Sequence, residues 1–292
     1  MCIRDSKSPE RQTGCHRMLR TIHALRSHPQ PHPRATGGRY LSTMTLSVRL
    51  DATPALDSYR SMPADAIDAA SGTLPLGVES FRRQYREQHV GRAYHGRLHL
   101  GFTVATCLVV IGACLTQLQD IGLWEWLTIP ITFLYANLVE YFGHRGPMHH
   151  PRKGLRIIFE RHARQHHRFF RDDAMAFGDS RDYKAVLFPS VLIVFYLLGF
   201  ALPAGLLLAW LASPNTAYLF AATAVAYFLN YELLHFAYHA RHGSWISRLP
   251  FMSRLRRLHT LHHRPELMQK YNFNITYPIG DWLFGTLFRS TD

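Results

Sequence analysis

The chain has 292 residues, a formal net charge of +13, and 47% hydrophobic against 18% charged residues. Those averages conceal a division: apolar residues gather in blocks between 98 and 235 while most Arg and His lie outside them, the pattern of a membrane protein with polar caps and not of a soluble globular domain. Positive residues beside apolar spans suit an anionic membrane surface and argue against nucleic acid as a partner, and four cysteines, two in a span and two near the N-terminus, define no disulfide framework.

Residues 1–43 carry eight Lys/Arg against two acids and no sustained apolar run. They are expected to be a disordered leader or a spurious N-terminal extension, with translation starting at Met44. The stretch "RMLRTIHALR" bears a faint likeness to an organelle transit peptide. Residues 44–97 form a polar segment in which Val78, Phe81 and Tyr85 fall at helical spacing beside arginines. A basic amphipathic helix is expected there, lying either on the membrane surface or on the protein's own polar cap.

Four spans follow, at 99–118, 123–142, 186–212 and 216–236, each of about the ~20 residues or more that a bilayer crossing needs. Pro189 and Pro203 leave the third as one tilted helix or a bent one. The tips near 119–122 and 213–215 hold no Lys or Arg, whereas 144–184 holds ten and the tail after 240 holds eight. Two hairpins therefore return the chain to one face, which the positive charge places in the cytoplasm. The fold class expected is all-α: an integral membrane helical bundle of about four transmembrane helices with a cytoplasmic His-rich helical cap.

Histidine clusters sit at the cytoplasmic ends of the spans. "EYFGHRGPMHH" offers His144 and His149, "RHARQHH" offers His162, His166 and His167, "ELLHFAYH" offers His235 and His239, and "HTLHH" offers His259, His262 and His263. In an α-helix the last three project from one face, which would serve one metal. A five-residue step turns ~140° around an α-helix, so His144 and His149 share a face only if the helix breaks, and Gly143, Gly146 and Pro147 supply a break. Ten imidazoles exceed what one metal uses, so the count points to two metals. His95 and His99 precede the first span and have no HH companion, which marks them as a decoy; His150 and His242 read as spare. Glu140, Glu232, Asp172, Asp173 and Asp281 lie near enough in sequence to orient an imidazole through its second nitrogen, with solvated charge as the alternative.

The order HxxxxH, HxxxHH, HxxxH, HxxHH across four spans resembles the fatty acid hydroxylase and sterol desaturase superfamily. "EYFGHRGPMHH", "HARQHH" and "DSRDYKAVLFP" are most similar to its fatty acid 2-hydroxylase branch, and "YNFNITYPIGDWLFGTLF" to the superfamily's ending. The resemblance covers roughly residues 130–290 and makes 98–292 the membrane-embedded catalytic domain. It implies a non-haem di-iron centre held by the ten histidines, with O2 as co-substrate and a lipid or fatty acyl chain as substrate. The second box has three residues before its HH where that branch usually has two. No fused haem-binding domain is present in the sequence, so electrons are expected from a separate protein of ferredoxin or cytochrome type. The expected reaction is hydroxylation near the polar end of an acyl chain, with Arg145 and Arg168 as candidates to hold a headgroup. A desaturase of the same superfamily, or a non-catalytic metal-binding or transport protein, is the alternative; ligands at one end of the spans, not along a path through them, disfavour transport.

Overall fold

The computed structural model describes residues 75–241 and 249–288, and is all-helical over them, with one isolated bridge between Arg171 and Ala174. The leader, residues 44–74 and His242 lie outside the described residues.

Helix α1, Leu76–His89, starts after Pro75 and buries Val78, Arg82 and Tyr85 on one stripe. It packs on the protein's own cap, one of the two expected positions. Arg82 is 1% exposed. It donates to the carbonyls of Phe169 at 2.8 Å, Ala174 at 2.6 Å and Ala176 at 3.0 Å, and lies over the rings of Phe169 and Phe170. A guanidinium can be buried only when its donors find such acceptors. One turn on, Arg86 grips buried Asp182 with two bonds of 2.7 and 2.8 Å.

Helix α2, Gly96–Leu115, is the first of three helices among the described residues that are long and apolar enough to cross a membrane; the others are Ser180–Leu211 and Pro214–Tyr238. At Gly96 the chain passes so close to the 180s that an added Cβ would lie 1.8 Å from the Ser180 carbonyl oxygen. Gly96→Ala is expected to lower stability by ~1–3 kcal/mol through forced backbone displacement, read as an earlier thermal transition of the detergent-solubilised protein; an unchanged transition would contradict this packing.

The second expected span differs. Helix α3, Thr128–Gly143, has 16 residues, about 24 Å at ~1.5 Å per residue, and is not among the three apolar helices. A 3-10 turn, Glu125–Leu127, precedes it and a π turn, His144–Met148, follows. It falls short in length, and its polar Asn137 and Glu140 are committed to holding a C-terminal loop, as described below. The third span is interrupted and bent. A short helix α6, Tyr183–Val186, stops before Pro189, and α7, Ser190–Tyr196, passes through a π turn, Leu197–Ala201, into α8, Leu202–Leu211, whose second residue is Pro203. Proline lacks the amide that would continue the α ladder, so both prolines mark irregularities.

Helix α9, Pro214–Tyr238, runs from a Ser213 cap back to the cap region. The two tips are tied together: Asn215 exchanges bonds of 3.1 and 2.6 Å with the Gln119 backbone and donates to Glu125 at 3.0 Å, and Glu125 also accepts from Ser213. With both tips joined at one end, the His-bearing ends of α3 and α9 meet at the other. There α4, Arg156–Phe159, a π turn, Glu160–His166, and α5, His167–Phe169, join α10, Met252–His262, and α11, Ile279–Leu283.

Candidate metal centre

All ten expected histidines are buried, none more than 8% exposed, and they assemble into two groups. The first holds His144, His149, His162, His167 and His262, and the second His166, His239, His259 and His263; within each, one ligand nitrogen per ring lies within 4.8 Å of every other. His235 joins the second group, its Nε2 3.1 Å from that of His166. The groups abut, with the rings of His167 and His263 4.3 Å apart.

The two π turns make this division. A π turn closes its ring between residues i and i+5, so a five-residue step returns close to one face. His144 and His149, spanning the first π turn, bring their Nε2 atoms to 3.2 Å. His162 and His167, spanning the second, reach 3.1 Å. His166 is thereby left to point into the other group. On α10 the expected single-metal face also divides: His259 and His263 meet at 3.0 Å in the second group, while His262 contacts His149 at 3.0 Å in the first. The i, i+3, i+4 trio therefore straddles both groups, correcting the expectation that it serves one metal.

Backbone carbonyls fix the rings. Nδ1 of His144 donates to Phe273, His262 to Tyr271 at 3.0 Å, His166 to Ala185 at 2.8 Å, His239 to Met175 at 2.9 Å and His263 to Phe170 at 2.6 Å. A carbonyl accepts only, so each of these five rings carries its proton on Nδ1 and presents a bare Nε2 lone pair inward. Burial, with nearby imidazoles adding to it, pushes His149 down to about 2, and burial brings His166 and His262 to about 4, so these rings stay neutral at neutral pH. Facing Nε2 pairs stand 2.8–3.2 Å apart. One ring nitrogen proton cannot serve two or three such neighbours, and converging lone pairs repel unless a cation lies among them. Metal–nitrogen bonds of about 2.1 Å would separate ligands at right angles by ~3.0 Å and tetrahedral ligands by ~3.4 Å; the observed spacing matches the former. The residues therefore fit a metal ion in each group, with five neutral nitrogens in the first and four in the second, beside which His235 stands.

None of the five suggested carboxylates bonds to an imidazole. Glu140 accepts from the Tyr227 hydroxyl at 2.6 Å, the Thr276 hydroxyl at 2.7 Å, the Thr276 amide at 2.9 Å and the Ile275 amide. Asp281 accepts from the amides of Phe273 at 2.9 Å and Asn274 at 2.7 Å. Both hold the loop whose Tyr271 and Phe273 carbonyls orient the first group, assisted by Asn137, which donates to Tyr277 O at 2.8 Å. Glu232 accepts from the Phe188 amide, and Asp172 and Asp173 pair with Arg264 and Arg171. On the other side, Arg82 holds the 169–176 loop whose Phe170 and Met175 carbonyls orient the second group. Arg82 and Asn137 had no metal-ligand spacing to betray them; a polar Asn137 one turn before Glu140 inside an otherwise apolar stretch was the available signal.

Decoy His99 lies outside both groups, between the Tyr94 hydroxyl at 2.9 Å and the Phe188 carbonyl at 3.0 Å, and His95 is exposed at the start of α2. His150 is exposed and contacts the Arg145 carbonyl. Arg145 donates to the Tyr141 hydroxyl at 2.8 Å and Arg168 covers the Phe81 ring.

A family profile described as Fatty acid hydroxylase matches residues 129–286, the stretch that holds all ten buried imidazoles. Curated protein sequences give no match. A solved chain described as "Full length scs7p (only hydroxylase domain visible)" is similar, with 21% identity and a TM-score of 0.46, over 65% of this chain and 65% of that one.

Proposed function

We propose that this chain, which belongs to the fatty acid hydroxylase family, is an O2-dependent di-iron enzyme that hydroxylates a lipid acyl chain near its polar end, with residues 98–292 as the catalytic domain. The observation that carries the reading is the pairing of two all-imidazole groups, each set with right-angle spacing and inward lone pairs. In the first, an imidazole-only donor set of five leaves one position of a six-coordinate ion open, which suits iron; zinc in structural sites closes at four ligands.

Iron in both groups would supply the oxidant that an unactivated C–H bond requires and that no side-chain acid or base can replace. The overall change is R–H + O2 + two electrons + two protons to R–OH + H2O. The chain's residues position and insulate. Phe170 lies against His239, ring centres 4.0 Å apart, and Phe273 lies about the rings of His144, His149 and His262, closing the groups against water. Because the groups stand at the ends of the apolar helices, a headgroup held at the polar boundary brings the first carbons of its chain to them, while later carbons lie deeper in the ~30 Å hydrocarbon layer. Small displacements from productive geometry cost large rate factors, so this placement favours the head end. Electrons come from a separate ferredoxin- or cytochrome-type protein, and the positive flanks support a site on the cytoplasmic side.

Lipids from cells expressing the wild type or His263→Ala, grown under isotopic oxygen gas, decide the reaction by mass spectrometry. A wild-type product that gains one labelled oxygen near its carboxyl or amide end is expected. Loss of two hydrogens without oxygen would identify a desaturase and overturn the proposal.

A further inference from the structure

Away from the histidines, a cleft of about 530 Å³ opens where α2 begins, lined by Arg92, Tyr94, His95, Arg97, Leu98 and Arg181, with Gly96 and Ser180 at its base. Its three guanidinium groups come from two chain segments that the contact at Gly96 locks together. Arg92, Arg97 and Arg181 are exposed and make no side-chain ion pair among the described residues. Of the neighbouring acids, Asp179 spends Oδ1 on the Arg181 amide at 2.7 Å, and buried Asp182 is held by Arg86. Lys184 adds a further cation, its ammonium 5.4 Å from the centre of the Tyr94 ring. The first turn of α2 also enters the cleft with no side-chain cap on its amides, so the positive end of a 20-residue helix adds to the field. Gathering like charges around a concave surface is unfavourable until an anion neutralises them.

We propose that this cleft binds the phosphate of a membrane lipid headgroup, at a site separate from the histidine centre. Two features select a lipid over free phosphate. The cleft lies at the first residue of an apolar helix, the level at which headgroup phosphates stand. It also runs directly onto an apolar stripe of that helix, Leu98, Phe102 and Val109, which are 70%, 48% and 70% exposed and give an acyl chain a surface to follow. Arginine's forked donors match phosphate oxygens, and three forks around one cleft suit an unmasked phosphate better than one shielded by choline.

The test titrates the detergent-solubilised full chain, by native mass spectrometry, with short-chain phosphatidic acid, short-chain phosphatidylcholine and inorganic phosphate. Phosphatidic acid is expected to bind tightest, and Arg97→Gln/Arg181→Gln to weaken it by ~tenfold or more, as loss of charged hydrogen bonds implies. Arg97→Lys/Arg181→Lys should recover part of the loss, and Arg152→Gln, at an exposed arginine outside the cleft, should change nothing. Unchanged phosphatidic acid binding in the glutamine variant overturns the site. Inorganic phosphate binding as tightly as phosphatidic acid overturns the lipid as its occupant. Neither outcome bears on the hydroxylation reading, whose readout is the lipid product.

Discussion

Alanine at His149 is expected to cost the purified protein one of about two bound metal ions and to lower hydroxylation by ~100-fold or more, since losing even a group that only orients a metal ligand costs 10–100-fold. His149 reaches two neighbours of its group, His144 at 3.2 Å and His262 at 3.0 Å, so its removal opens the middle of the first group. His263→Ala should remove the other ion, because His263 meets His259 and belongs to the second group. The double variant should bind neither. Alanine at His95 or at exposed His150 should leave both ions and the activity in place. Metal analysis beside activity makes the assignment vulnerable: two ions retained in both single variants would refute it.

Much of this centre was legible in the sequence, for a physical reason. Four clusters of imidazoles in order, at spacings of three to five residues, point to ligation where a single pair such as His95 and His99 does not, and hairpin parity brings those clusters to one end of the bundle. The division between groups was not legible. His166 and His167, like His262 and His263, are adjacent in sequence yet serve different groups, and this depends on turn width. Pro147 hints at the first irregular turn, but the second, Glu160–His166, contains neither proline nor glycine. Nor could spacing reveal the partners of the ring Nδ1 atoms, because backbone carbonyls leave no side-chain signature. The carboxylates therefore drew attention as ring partners when their work lies one step back, on the loops.

That indirect work sets the other large effect. Arg82 clamps the 169–176 loop and Glu140 the 273–276 loop, and each loop supplies the carbonyls of one histidine group. Arg82→Ala removes three donors from buried carbonyls and the cation over two Phe rings, a loss of about 3–5 kcal/mol for breaking a buried charged cluster. Glu140→Ala leaves four donors without their acceptor and should cost about 2–4 kcal/mol. A purely structural role would lower the thermal transition and loosen both ions alike. The loop geometry calls for selectivity. Freed of the Phe273 carbonyl, His144 loses its fixed tautomer and orientation, so Glu140→Ala should make the first group's ion extractable by a chelator at concentrations ~10–100-fold lower, with the second group's ion held as before. Arg82→Ala should reverse the pattern through His263 and His239. Combining each with His149→Ala or His263→Ala identifies which ion is lost: Glu140→Ala added to His263→Ala should release the remaining ion easily, whereas added to His149→Ala it should change little. Glu140→Gln, which keeps one acceptor oxygen and nearly the same shape, should recover part of the affinity. Equal loosening of both ions by either substitution would break the link between clamp and group and reduce both residues to general supports of the fold.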